Sequence, residues 1–243
     1  MAVTTEGTTL TEQQRRAQAG VTRRLIAQMK LLWPLLDLTD LDRTSTLWLS
    51  FVQQLLLDSH AESVAVAREY LREFRIAELG TTIALFDKIN VGLDPTATTA
   101  MRVTGPVKVK QSMTAGLSLS QAGRLAFNET ARTAQMLVLN GGRQMIESGI
   151  RRDRRALGYQ RVTDGNPCYF CAMLASRGPV YRKDSFANAK VHIGCGCTLE
   201  PVYSRDTQWL ARSEEYAAIY ANVEPGSNQT VVAAFRAAYN AQR

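Results

Sequence analysis

The chain has 243 residues, 45% of them hydrophobic and 21% charged, a balance that excludes wholesale disorder and lets a core form without cross-links. Its net charge of +7 is local: residues 101–190 carry 15 Lys/Arg against 5 Asp/Glu, a net +10, while the flanking parts are slightly acidic. The first twenty residues lack the apolar stretch of a secretory signal, and no run of eighteen apolar residues follows, so the expectation is a soluble protein made in the cytoplasm, with no membrane partner.

In chain order, Val21, Leu25, Met29, Leu32 and Leu36 recur at helical spacing, which predicts a helix over about Leu10–Leu36, started near Thr11-Glu12 and ended at Pro34. A second helix is expected over about Thr44–Leu57 with Leu47, Phe51 and Leu55 on its buried stripe. A third is expected over about Ala61–Leu79 with Val64, Ala67, Leu71 and Phe74, stopped by Gly80. Three such helices shield one another as a bundle, with Trp33 and Trp48 in its core. Residues 90–116 mix Gly, Pro and Thr with short β-prone pieces and read as a connector with brief extended segments. A long helix follows from Leu119 to about Ser148, where Gly141-Gly142 marks either close packing or a break. After the basic run Arg151-Arg152-Asp153-Arg154-Arg155, the alternation Tyr159–Thr163 predicts a strand and Asp164–Pro167 a turn. Thr198–Tyr203 reads as extended. Helices near Asp206–Ala221 and Thr230–Ala241 close the chain, separated by Glu224–Ser227.

The fold class expected is therefore mainly α: an N-terminal bundle over 1–92, a connector over 93–118, a long helix with a small α+β knot over 119–205 that holds all four cysteines, and C-terminal helices over 206–243.

All four cysteines and one of the two histidines fall within thirty residues, as Cys168-x2-Cys171, twenty intervening residues, then His192-x2-Cys195-x-Cys197. Two short ligand pairs separated by a loop is how a zinc site is commonly written into sequence, each short turn presenting two donors and the metal closing the loop. Simple buried thiols, a disulfide and a redox pair are the competing readings; a reducing compartment disfavours the second, and the third leaves His192, Cys195 and Cys197 without a purpose. A thiolate-rich closed site suits structural zinc, because catalytic zinc keeps a position open for water. Five donors compete for four positions, and spacing alone leaves Cys195 and Cys197 as alternatives for the last.

The residues around this cluster carry a resemblance. Tyr159–Asp164 leads into Cys168-Tyr169-Phe170-Cys171, then Gly178-Pro179-Val180-Tyr181, then His192-x2-Cys195-x-Cys197 and Glu200-Pro201-Val202-Tyr203. Over about residues 120–203 this resembles the phage Mu F-like minor head protein family, in particular its forms in phages of actinobacteria. Many members have Pro after the histidine, where this chain has Ile193. The resemblance implies a minor capsid protein of head morphogenesis, present in the virion and, during assembly, in the host cytoplasm. Its implied partners are the portal protein and the major capsid or scaffold protein.

Two other functions compete. Asp58-Ser59-His60 has the residue types of a serine protease, here a capsid maturation protease, although adjacent helical residues point in different directions. Arg151, Arg152, Arg154, Arg155 and Arg161 form a basic cluster suited to non-specific contact with packaged DNA.

Overall fold

The computed structural model describes residues 2–183, 192–226 and 229–242; Ser227 of the expected turn lies outside them. Helix α1 (Thr5–Leu32) and helix α2 (Leu41–Leu79) form an antiparallel hairpin. Helix α1 begins a turn and a half before the expected start because Thr4 caps it, its hydroxyl accepting the Gly7 amide at 2.9 Å while donating to Glu78 Oε1 of α2 at 2.6 Å. Pro34 ends it in a single 3-10 turn, and Gly80, at φ +74, stops α2.

The two helices expected between Thr44 and Leu79 are one, and this corrects the second stripe. Leu47 and Phe51 are exposed, whereas Trp48, Val52 and Leu56 are buried. With no break at Asp58-Ser59-His60, the face is set by counting back from Phe74 through Leu71, Ala67, Ser63 and His60 in steps of three and four, which lands on Leu56, Val52 and Trp48. Of the polar residues that imitated an interruption, Ser59 and His60 are interior and Asp58 is exposed.

Residues 80–118 contain no strand; they hold α3 (Ala97–Arg102), a π turn (Val103–Val107) and α4 (Lys108–Thr114). The wide turn accommodates Pro106, which has no amide hydrogen to donate. Gly105 sits against Trp48, and a Cβ there would lie 2.8 Å from the indole Cη2.

Helix α5 (Leu119–Arg152) starts at a reciprocal cap between Ser118 and Gln121 and runs unbroken through Gly141-Gly142. Those glycines serve close packing. A Cβ on Gly141 would fall 2.7 Å from the His60 ring, and one on Gly142 would fall 2.7 Å from Gln18 Nε2. Ser63 Oγ donates to Gln18 Oε1 at 2.8 Å and accepts the Gly142 amide at 3.1 Å, so three helices share one polar contact. We expect Gly141→Val to lower stability by about 1–3 kcal/mol through overpacking, measured by urea unfolding.

Lengthwise, α5 serves two cores. Its first half joins Val21, Leu25, Met29, Trp48 and Val52, and its second half, with Met145, Ile146 and Ile150, joins Leu71, Phe74, Phe86 and Tyr159. On the second core lies an antiparallel sheet, β2-β1-β3, of β1 (Gly158–Val162), β2 (Tyr181–Arg182) and β3 (Thr198–Val202), with Gly158 opposite Val202 and Val162 opposite Thr198. The short helix α6 (Tyr169–Ala175) packs with α7 (Ala211–Ala221) and α8 (Val231–Ala241) around Met173, Tyr216, Phe235 and Tyr239.

A buried carboxyl pins the sheet to the hairpin. Glu200 of β3 accepts from Thr11 Oγ1 of α1 and from Gln160 Nε2 of β1, each at 2.5 Å, and Thr11 also bonds Tyr70 of α2 at 2.9 Å. Burial pushes the Glu200 pKa above the ordinary 4.5. The native state then holds a proton that the unfolded chain has lost, so this contribution is complete below 4.5 and disappears as pH rises through the folded value. Glu200→Gln should remove that dependence and stabilise the protein at neutral pH, since Gln160 Oε1, without a hydrogen-bond partner among the described residues, gains a donor. Urea midpoints of both proteins across pH 4–8 test this.

Candidate metal centre

The site is built by two turns that meet under α5. The first leaves β1: Asp164 Oδ1 accepts the Asn166 amide at 3.0 Å, closing an Asx turn that delivers Cys168 as the cap of α6. Cys168 Sγ accepts the Cys171 amide at 3.5 Å, which aims both sulfurs to one side of the helix. The second turn runs from His192, whose carbonyl accepts the Cys195 amide at 3.1 Å, through Gly194 at φ +81. Cys197 then enters β3.

The structure brings all five predicted donors together. Cys168, Cys171 and His192 form one group with ligand atoms within 4.8 Å of one another, and Cys171, Cys195 and Cys197 form a second, sharing Cys171. Cys171 Sγ lies 3.4 Å from Cys195 Sγ and 3.7 Å from His192 Nε2, while Cys168 Sγ and His192 Nε2 are 2.6 Å apart. Zinc–sulfur and zinc–nitrogen bonds of about 2.3 and about 2.0 Å imply tetrahedral edges of roughly 3.5–3.8 Å, so the spacing about Cys171 fits a bound metal. His192 Nδ1 faces the Ile193 carbonyl at 3.2 Å, the contact that turns the Nε2 lone pair toward the sulfurs.

The thiols are polarised before any metal arrives. Hydrogen bonds from Cys171 and His192 pull Cys168 below the ordinary thiol range, and those from Cys171 and Cys197, with the nearby Arg143 charge, pull Cys195 down as well. Cys171, the shared donor to Cys168 and Cys195, is pushed up. A divalent ion bound here would replace those shared protons and cross-link the two turns.

Sequence reasoning missed the residues that hold the second turn. Arg143 of α5 donates from Nε to the Cys197 carbonyl at 2.8 Å, from Nη2 to the Cys195 carbonyl at 2.6 Å and from Nη1 to Asn140 Oδ1 at 2.9 Å. Burial lowers its pKa, and the charges of Cys195, Cys197 and Cys171 oppose that shift. The available signal was an arginine on the apolar stripe Leu139, Arg143, Ile146 and Ile150. Asp164 Oδ2 accepts the Gly196 amide at 3.1 Å, an approach that a Cβ on Gly196, 2.4 Å from that oxygen, would block.

The basic cluster is divided. Arg151, Arg152, Arg154 and Arg155 are exposed around the end of α5, with Arg151 paired to Glu147 at 2.9 Å. Arg161, in the central strand, is 3% exposed and is separated from them by that placement. Ser59 and His60 are buried in α2, where His60 packs on Gly141. Burial lowers the pKa of His60.

Residues 6–223 match the family described as VG15 protein. The chain belongs to the VG15 family. This is a family of phage proteins, and the match runs from α1 through α7, so the helical body and the Cys/His cluster lie inside one family unit. No curated protein and no solved structure matches the chain. Among the described residues no helix is long and apolar enough to cross a membrane.

Proposed function

We propose that this VG15-family chain is a minor capsid protein of phage head morphogenesis, of the Mu F-like type, whose C-terminal half is fixed by one structural zinc ion. The observation that carries the reading is the convergence of three or more thiols and one imidazole beneath α5, inside the region that matches a phage family. Such a closed, sulfur-rich set holds zinc as a cross-link and leaves no position for catalytic water. The function is then architectural: a helical body presents surfaces to the portal and to the major capsid or scaffold protein, and the knot stiffens the part that follows. Quantitative mass spectrometry of purified procapsids and virions should find the protein at a few copies per particle; its absence from both would overturn the reading.

The exposed Arg151, Arg152, Arg154 and Arg155 favour an added contact with packaged DNA. Four phosphate contacts predict an affinity for duplex DNA of any sequence that falls roughly 100-fold between about 50 and about 200 mM salt. Fluorescence anisotropy checks this, and a salt-independent affinity would rule the contact out.

A further inference from the structure

Arg143 is a buried cation whose acceptors are three neutral oxygens. It is 8% exposed, all three of its nitrogens are used on the Cys195 and Cys197 carbonyls and on Asn140, and among the described residues no carboxylate pairs with it. A guanidinium in that position is costly unless an anionic centre lies close by. The sulfurs behind those two carbonyls supply one. Three thiolates and an imidazole around a divalent ion carry a formal charge of −1, and four thiolates carry −2.

We propose that Arg143 is the positioning residue and counter-charge of the metal centre, so that metal loading is coupled to the packing of α5 in the helical body. The inference rests on the metal reading above. The planar fork bonds two carbonyls two residues apart, which fixes the Cys195–Gly196 and Cys197–Thr198 peptide planes and holds Cys195 and Cys197 beside Cys171. Ser63 meets the same helix at Gly142, one residue away, so a shift of Arg143 on metal loss is passed to the contact among α1, α2 and α5. A metal centre held only by its own loop would lack this connection.

The test uses the full chain with cobalt(II) as the probe, titrated against a chelator and followed by its thiolate charge-transfer absorption. Arg143→Gln removes the charge and the fork; Arg143→Lys keeps the charge alone. Cobalt should bind about 10–100-fold more weakly to the Gln variant, with Lys between it and the parent. Equal affinity in Gln and parent, or a Lys variant no better than Gln, would overturn the inference while leaving the metal site standing. A parent chain that takes up no cobalt or zinc would remove the metal reading and this inference together. Should the Gln variant fail to fold, hydrogen exchange on the parent decides. On chelation, amides around residues 137–147 and 198–202 should lose protection together with the cysteine turns, and loss confined to 164–197 would refute the coupling.

Discussion

Stripping metal from the reduced protein is expected to lower its thermal midpoint by about 10 °C and to split one unfolding transition into two. A site filled at a thousand times its dissociation constant adds about 4 kcal/mol to the folded state, and for a domain of this size each kcal/mol moves the midpoint roughly 2–4 °C. The split follows from the separation of the cores: α1, α2 and the first half of α5 keep theirs, while the cluster around Cys171 loses what joins its two turns. Cys171→Ser should reproduce the loss, because Cys171 belongs to both donor groups, with bound zinc falling below a tenth of an equivalent by elemental analysis. Comparing Cys195→Ser with Cys197→Ser identifies the fourth ligand. The variant that retains metal marks the sulfur outside the shell.

Arg75→Met is expected to cost about 3–5 kcal/mol, because it leaves a buried carboxylate without its counter-ion. Arg75 Nε donates to Asp153 Oδ2 at 2.7 Å with both side chains almost fully buried, and its Nη1 donates to the Thr81 carbonyl at 2.6 Å. Tyr203 and the Arg155 amide also bond Asp153, at 3.1 and 2.9 Å, and Lys183 bonds its carbonyl. Burial acts against ionisation of Asp153, and the bonds from Arg75 and Arg155 outweigh it, so the carboxyl stays below the ordinary 3.8. Its contribution is therefore complete above the unfolded value and is lost as pH falls through the lower folded one. Arg75→Met should abolish that acid-side loss, and adding Asp153→Asn should recover part of the stability. Urea unfolding at neutral pH and between pH 2 and 5 measures both effects.

What the sequence disclosed followed physical locality. Five donors in two short pairs are visible without a fold because each turn needs only its own residues, and the α1 stripe Val21, Leu25 and Met29 is visible because one helix face repeats. The face of α2 differs from the expected one at Leu47 and Phe51, since His60 and Ser63 look like surface until α5 presents Gly141 and Gly142 to receive them. The short β2 strand depends on pairing with β1, where Tyr159 stacks on Tyr181 at 4.9 Å between ring centres, and no local pattern announces it. Arg143 looked like one more member of the basic middle third. Its bonds to the Cys195 and Cys197 carbonyls exist only where α5 crosses the cysteine turns.

The sharing of α5 between two cores also sets the order in which the chain can be made safe during synthesis. Helices α1 and α2 leave the ribosome before α5, and the groove they form receives its third wall only after Arg152 has been added, 73 residues beyond Leu79. At about 5–20 residues per second, that is an interval of roughly 4–15 s in which Val52, Leu56, Leu71 and Phe74 face water or another nascent chain. Because collisions between half-finished chains scale with their concentration, aggregation during that interval should rise steeply with the rate at which the chain is made.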